Sequence, residues 1–462
     1  MRCMTAMAAV VATLLTAAAC ADGVHPGDTF FGTPSVARLG LTLTPAALEA
    51  LAPAAPAFPG APRAASADDS RDLHRNTFGV AIPWTTGTLE CDGATFRDVG
   101  VRAKGNYTLM ASARSLEKSL KLDLDRRVKG QSLDGLRMLN YHSGVSDRSG
   151  AREALAYAAF RAAGVAAPRT RFAELTLTVP GRHEGEFVGV GTVVEQIDAR
   201  FLAAHFGDGT GMLLKPEGLQ GGPAWLGEQW APYAERFRPE KEPKEREKRT
   251  LVDFCRLVSE GSDEDFAEKI GTFLDVDAFL RFIAANCVLA NLDSYLAYGH
   301  NYCLYLDPGS RRFVFIPWDL DLSLATWPAA GTPEQLVRLS IDHPHAGDDR
   351  LLDRLLAIPE HRARYRALVE ELFSTLFESG LLDRELDSIE AALKEPLALQ
   401  TLAVVDRGEG AGAGPFGSGR FGDSLPPRAF VERRAASVRA QLDGREEGFV
   451  PRRIAIPGRR GG

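Results

Sequence analysis

The sequence predicts an α+β protein in which a β-rich lobe precedes a helical lobe. Alternating apolar residues dominate from residue 78 to residue 195, whereas apolar residues at helical spacing dominate beyond residue 250. One β unit at residues 302–316 interrupts the helical half, and no internal repeat is visible. Because strands come before helices instead of alternating with them, we expect two segregated lobes around a cleft.

The clearest predicted strand covers residues 119–124. Leu120, Leu122 and Leu124 alternate strictly and share one face, which we interpret as the inward face. Lys118 lies on that same face. Similar patterns predict further strands at residues 36–43, 96–105, 172–179, 187–195, 302–307 and 312–316.

The predicted helices have typical start and stop signals. Thr44 and Pro45 begin a helix that runs to Leu51, because a capping residue is followed by proline in the first turn. A helix at residues 147–163 ends at Gly164. Apolar residues at helical spacing predict further helices at residues 250–259, 275–289, 361–379, 383–395 and 428–442.

The composition is that of a soluble protein and indicates no nucleic-acid partner. The chain has 462 residues, of which 45% are hydrophobic and 25% charged, and its formal net charge is −7. This charge provides no attraction to nucleic acid or to an anionic membrane. The cysteines beyond residue 20 lack zinc-site spacing. They could pair as disulfides in an exported chain, although Cys255 and Cys287 lie in helical patterns typical of small buried hydrophobes.

The first 19 residues are predicted to form a secretory signal peptide. Arg2 precedes an apolar run at residues 7–15, which is too short to span a membrane. Cys20 follows three alanines, so lipid attachment to Cys20 and plain cleavage by signal peptidase both remain open. Either outcome gives an extracytoplasmic protein, secreted or lipid-anchored at the cell envelope.

The remaining chain divides into three parts. A strand, a helix and an Ala/Pro-rich connection occupy residues 20–75, and a basic tail occupies residues 446–462. Between them lies the main domain at residues 76–445, with its lobes at 76–200 and 201–445.

Three aspartates are candidates for chemistry. Asp293 follows an apolar helix, and Asp319 and Asp321 follow an apolar strand. Residues i and i+2 of an extended chain face the same way, so the last two carboxylates could hold one or two divalent cations in the cleft. Asp-x-Asp pairs also cap turns or lie in solvent, and the pattern alone leaves both interpretations open.

An ordered set of motifs runs along the chain. Its most distinctive part consists of His300, Asn301 and Tyr302, then a hairpin, then the run Pro-Trp-Asp-Leu-Asp at residues 317–321. This part resembles the signature of the CotH family, the spore coat protein H kinases. The similarity extends from about residue 36 to residue 442. Matching segments within it lie at residues 99–106, 118–121, 146–156, 189–198, 214–215 and 430–442.

The resemblance implies a divergent protein-kinase-like fold, with a β-rich nucleotide-binding lobe over a helical lobe. Family members bind ATP and transfer its terminal phosphate to protein. The implied cofactors are therefore ATP and Mg²⁺ or Mn²⁺, and the implied partner is a protein substrate on the cell surface or coat. Phosphoryl transfer needs positive charge around the phosphates, a metal ion and an aligned nucleophile.

The resemblance also implies roles for individual residues. Asp293 would orient or deprotonate the acceptor hydroxyl, and Asp319 would bind Mg²⁺, with Asp321 and Asn301 as further candidate metal ligands. Lys118 would contact phosphates. Lys121 is the second choice because it shares a face with two aspartates and looks solvent-facing. Four more residues would complete the nucleotide site: Arg102 and Lys104 as further positive charge, Glu153 as partner of the strand lysine, and Glu195 at the hinge near the adenine.

Two other functions remain open on sequence grounds. One is a non-catalytic surface protein of the same fold that serves adhesion or assembly. The other is a metal-dependent hydrolase that uses the same carboxylates. The combination of Lys118, Asp293, Asp319 and Asp321 favours the kinase, because a binding module does not need all four.

Overall fold

The computed structural model describes residues 25–52, 72–76, 79–216, 219, 222–409 and 424–453. The predicted signal peptide, Cys20, most of the Ala/Pro-rich connection and the end of the basic tail lie outside these residues. No helix of the described part is both long and apolar enough to cross a membrane.

Twelve strands are present among the described residues: β1 (Ala37–Leu43), β2 (Leu73–Arg75), β3 (Ala81–Pro83), β4 (Thr85–Cys91), β5 (Ala94–Ala103), β6 (Leu120–Asp123), β7 (Met138–His142), β8 (Thr170–Val179), β9 (His183–Val194), β10 (Met212–Leu214), β11 (Tyr302–Leu306) and β12 (Phe313–Pro317). The helices before residue 300 are α1 (Asp28–Gly32), α2 (Pro45–Ala50), α3 (Tyr107–Ala111), α4 (Arg152–Ala162), α5 (Ala199–Phe206), α6 (Trp230–Phe237), α7 (Glu245–Glu260), α8 (Asp263–Phe273), α9 (Val276–Val288) and α10 (Tyr295–Tyr298). Those after it are α11 (Pro333–Leu336), α12 (Arg350–Ala357), α13 (Pro359–Phe373), which continues as a π-helix (Ser374–Glu378), α14 (Leu381–Asp406) and α15 (Pro427–Leu442).

Seven strands close into a barrel in the order β1-β4-β5-β6-β7-β9-β8. Closure comes from the parallel pairing of β1 with β8, in which Ala37 lies opposite Ala173. All other neighbours in the barrel are antiparallel. Inward side chains fill the interior, as alternation along each strand requires; they include Leu39, Val101, Leu120, Leu122, Tyr141, Leu175 and Val193.

The helical part has its own hydrophobic core around α9. The three-stranded sheet β10-β11-β12 packs into it, and α13 covers the other side of α9. Helix α4 lies early in the chain, yet its buried face belongs to this second core and contacts α9 and α14. The helical part therefore covers part of the outer surface of the barrel.

The predicted order of strands followed by helices is confirmed, and so are most of the individual elements. Leu120, Leu122 and Leu124 are buried on one face of β6. Thr44 caps α2, since its hydroxyl accepts a hydrogen bond from the amide of Ala47 at 3.1 Å. Cys91, Cys255, Cys287 and Cys303 are buried and unpaired, which leaves no disulfide among them and confirms Cys255 and Cys287 as small buried hydrophobes. Closure of the sheet into a barrel was not predicted.

Candidate active site

The loop after α9 presents Asp293 in a fixed orientation. Nε2 of His300 lies 2.8 Å from Oδ1 of Asp293, and the amide nitrogen of Asn301 donates to Oδ2 at 3.2 Å. The same Asn301 nitrogen donates to the backbone carbonyl of Asp293 at 2.8 Å. Because the nitrogen of Asn301 is committed to Asp293, only its oxygen is left as a candidate metal ligand.

The loop after β12 presents Asp319 and Asp321. Asp319 has a positive φ of 59°, a conformation in which aspartate and asparagine are tolerated better than most residues. Its backbone amide donates to the hydroxyl of Tyr157 on α4 at 3.1 Å. The amide of Trp318 donates to the carbonyl of Asn301 at 3.2 Å, so the two loops that carry the three aspartates are tied together.

The carboxylates of Glu153, Asp319 and Asp321 form an acidic group where α4 meets the loop after β12. Burial raises the pKa of Asp321 well above its usual value, and the charges of Asp319, Glu153 and Asp293 raise it further. Burial likewise raises the pKa of Glu153, with Asp319 as the largest charged contributor. Carboxylates held this close need a cation or protons to compensate their charge.

His142, at the end of β7, joins this group. Its Nδ1 lies 2.8 Å from one carboxylate oxygen of Glu153 and 2.9 Å from the other. One ligand atom from each of His142, Glu153 and Asp319 can be chosen such that the three lie within 4.8 Å of one another. Burial lowers the pKa of His142 well below its usual value, and the neighbouring Lys104 lowers it further.

Positive side chains form a basic group beside the acidic one. The positive charges of Lys215 and Arg102 act on the pKa of both Lys104 and Lys121. Burial lowers the pKa of Lys121 to about 7, assisted by Arg102 and Lys215. Burial also lowers the pKa of Lys104 to about 7, although Asp319 opposes this shift. Arg102 on β5, Lys104 directly after β5 and Lys121 on β6 lie on the outward side of the barrel. Lys215, which directly follows β10, completes the basic group.

Trp318 packs against this basic group. The ammonium of Lys104 lies 5.1 Å from the centre of its ring, and that of Lys215 lies 4.8 Å away. Both distances are typical of cation–π contacts. Since Trp318 directly precedes Asp319, the indole fixes the basic group relative to the acidic group.

Two residues predicted for the nucleotide site lie in other surroundings. The ammonium of Lys118 donates to the carbonyl of Ser112 at 2.9 Å. Burial lowers the pKa of Lys118 to about 8, and the charge of Glu409 opposes this shift. The carboxylate of Glu195 forms an ion pair of 2.6 Å with Arg169. Among the described contacts of Lys118 and Glu195, none joins either residue to Asp319.

The structure therefore brings together most of the predicted site residues: Asp293, Asn301, Asp319, Asp321, Glu153, Arg102 and Lys104. It adds His142 and Lys215, and it places Lys121 in the basic group. Alternation along β6 and β7 puts Lys121 and His142 on the outward face. This alternation is visible in the sequence. The structure was needed to show that the helical part covers the outward face and makes it part of the site.

A cavity of about 580 Å³ lies next to the site. Its walls are mainly apolar and come from β8, β9 and α14, with Val190 and Leu397 among them. Ser143 and Gly144, which follow His142, line one edge, whereas the acidic group is not part of the walls. We therefore locate the chemistry at the charged groups and not in this cavity.

The fold and the site define a mixed barrel-and-helix protein in which partly buried carboxylates lie beside lysines at the junction of its two parts. The family model described as CotH kinase protein matches residues 101–409, and the chain belongs to this family. The match contains every residue of the acidic and basic groups. No curated protein matches the chain.

Proposed function

We propose that the chain is an ATP-dependent protein kinase that transfers the γ-phosphate to Ser or Thr of a surface or coat protein. The observation that carries this proposal is the junction of a partly buried acidic group with a basic group, beside the anchored carboxylate of Asp293. Phosphoryl transfer requires these three features together: a metal site, positive charge for phosphates, and a group that orients the nucleophile. In this proposal the barrel and the helical part act as the two lobes of a divergent kinase.

The acidic group fits a divalent cation. Asp319 and Asp321 offer hard oxygen ligands of the kind Mg²⁺ and Mn²⁺ prefer, and Glu153 lies close enough to take part. Burial, and after it the charges of Asp319, Glu153 and Asp293, raise the pKa of Asp321, and a bound cation would compensate that negative charge. When bound there, Mg²⁺ or Mn²⁺ would neutralise charge on the phosphates.

The basic group suits the phosphates of ATP. Lys104 and Lys215 are held over Trp318, and Lys121 projects from β6 beside them. The three ammonium groups are therefore held close together before any ligand binds. Fixed positive charge aimed at a transferring phosphoryl group stabilises the transition state. We assign phosphate contacts to Lys104, Lys121 and Lys215, with Arg102 as additional positive charge.

Asp293 suits the acceptor side of the reaction. His300 and Asn301 fix both carboxylate oxygens, so the carboxylate presents a defined edge. A carboxylate held in this way can accept the proton of a serine or threonine hydroxyl as it attacks the phosphorus atom.

The place of action is proposed to be outside the cytoplasm. The apolar run at residues 7–15 and Cys20 support a secreted or lipid-anchored form. Mass spectrometry of the mature N-terminus tests this directly. An acylated Cys20 indicates a lipid anchor, a new N-terminus without acyl mass indicates plain cleavage, and an intact Met1 contradicts export.

Autophosphorylation of the purified mature protein with γ-labelled ATP tests the kinase activity. We expect labelling that depends on Mg²⁺ or Mn²⁺ and falls by about 10²–10³-fold in Asp319→Asn. Asparagine suits the positive φ of this position, so the fold should persist. Asp348→Asn, at an exposed aspartate, is the matched control. If the wild type neither binds Mg-ATP nor labels itself or an added protein, the kinase proposal is overturned in favour of the non-catalytic surface protein.

A further inference from the structure

His142 is a buried side chain that lies between two oppositely charged residues. Only 9% of it is exposed. Its Nδ1 contacts both carboxylate oxygens of Glu153, at 2.9 and 2.8 Å, and its Nε2 contacts the ammonium of Lys104. The imidazole ring therefore occupies the position between Lys104 and Glu153 that a direct ion pair would otherwise fill.

The chemistry of the two partners determines which ring nitrogen carries the proton. An ammonium group can only donate, so Nε2 must accept its hydrogen bond. An ionised carboxylate can only accept, so Nδ1 must carry a hydrogen and donate it to Glu153. With Lys104 protonated and Glu153 ionised, the contacts define a neutral imidazole protonated on Nδ1.

A second contact holds the ring and the lysine together. The rings of His142 and Trp318 meet edge to face, with centres 6.2 Å apart, and the same indole lies 5.1 Å from the Lys104 ammonium. Both groups in direct contact with this ammonium, the imidazole and the indole face, are uncharged. Lys104 is therefore fixed in position while its charge stays available to an anion.

We propose that His142 is a positioning residue that links Lys104 to Glu153 through its two ring nitrogens and fixes the lysine for phosphate contact. The link itself follows from the hydrogen bonds, whereas its use in catalysis rests on the proposed kinase function. A direct Lys104–Glu153 pair would neutralise the lysine. The intervening imidazole keeps the carboxylate at a distance and frees it to face Asp319.

The first test is the protonation state of His142 in the nucleotide-free mature protein. The protein is labelled with ¹⁵N-histidine, and the His142 resonances are identified by their loss in His142→Gln. We expect the neutral form protonated on Nδ1 at about pH 6, below the pKa of about 7 at which Lys104 loses its proton. We expect this form to change in Lys104→Met, where the donor to Nε2 is gone. A ring protonated on Nε2, or on both nitrogens, overturns the link whether or not the protein is an active kinase.

The second test is a double-mutant cycle on kcat/KM for ATP. His142→Leu should lower kcat/KM by about 10–100-fold, and it should cause no further loss in the Lys104→Met background, because coupled residues are not additive. Additive losses, or equal losses in both backgrounds, show that His142 does not act through Lys104. His205→Leu, at an exposed histidine on α5, is the control for the effect of a histidine-to-leucine change elsewhere in the chain.

The two proposals can fail separately. A wild type without activity overturns the kinase function, and the resonance experiment still decides the link. If instead Mn²⁺ broadens the His142 signals and His142→Leu abolishes cation binding while Lys104→Met does not, His142 is a metal ligand and the positioning role is overturned.

Discussion

Nε2 of His300 lies 2.8 Å from Oδ1 of Asp293, and both side chains are buried. The two residues come from the two ends of a short loop segment that contains only α10 between them. Their contact joins the two ends of that segment. The orientation of Asp293 is therefore fixed by residues that are near it in sequence.

Replacement of Asp293 separates chemistry from nucleotide binding. Asp293→Asn preserves size and a hydrogen-bond acceptor but removes the charge that would accept a proton. We expect phosphate transfer to fall by about 10²–10⁴-fold while the Kd for Mg-ATP stays within a few-fold of wild type. Transfer is measured with labelled ATP, and binding is measured by calorimetry. An equal loss of binding and transfer would contradict an acceptor-side role.

Affinity for ATP should fall as the pH rises above neutrality. Burial lowers the pKa of Lys121 and that of Lys104 to about 7, so each lysine loses its proton and its positive charge as the pH rises through that value. We expect the Kd for Mg-ATP to increase by roughly three- to tenfold per pH unit between about pH 7.5 and 9, where the γ-phosphate is already ionised.

Lys121→Arg provides the control for this pH dependence. A guanidinium stays protonated across the whole range, so the variant should lose the share of the dependence that comes from Lys121 and keep the share that comes from Lys104. An unchanged slope in Lys121→Arg would show that another group titrates.

Lys118 and Lys104 should differ sharply on substitution. Lys118 donates to the backbone carbonyl of Ser112, whereas Lys104 lies beside Asp319 and Trp318. We expect Lys104→Met to reduce autophosphorylation by about 10²-fold or more and Lys118→Met to retain most of it. The reverse ranking would restore Lys118 as the phosphate-binding lysine of the sequence analysis.

Arg434 on α15 should stabilise the fold and should contribute no charge to the candidate active site. Its guanidinium is fully buried and donates to the carbonyls of Cys287, Val288, Val337 and Leu339. Arg434→Met would leave these acceptors unsatisfied, and we expect the free energy of unfolding to fall by about 2–4 kcal/mol.

Denaturant titration measures this loss. The exposed neighbour substitution Arg433→Met serves as the control and should shift the midpoint little. Equal midpoints for the two variants would contradict a structural role for Arg434.

Local patterns were sufficient to predict the elements that carry the aspartates. The hairpin of β11 and β12 is visible as two apolar runs separated by a Pro-Gly turn, and Asp319 follows directly from it. The same holds for α9, which ends five residues before Asp293. These elements are determined by residues that are close in sequence, and the periodicity of apolar residues is a good predictor of such local structure.

The barrel and the choice of lysine depend on distant contacts. Nothing near Ala37 indicates that β1 pairs with β8, because a parallel partner leaves no local turn signal. The outward face of β6 was interpreted as solvent-facing, which is the usual meaning of a polar face. Here Lys121 instead lies in the basic group beneath the helical part, and His142 shares that outward side on β7.

The closed barrel has a practical consequence for anyone who expresses part of this chain. The family match begins at residue 101, whereas β1, β4 and most of β5 lie before it and complete the ring between β8 and β6. A fragment cut at residues 101–409 would expose two unpaired strand edges and would also lose α15 with Arg434. Open edges recruit other chains, so such a fragment should aggregate, and a soluble product should require the segment from β1 through α15.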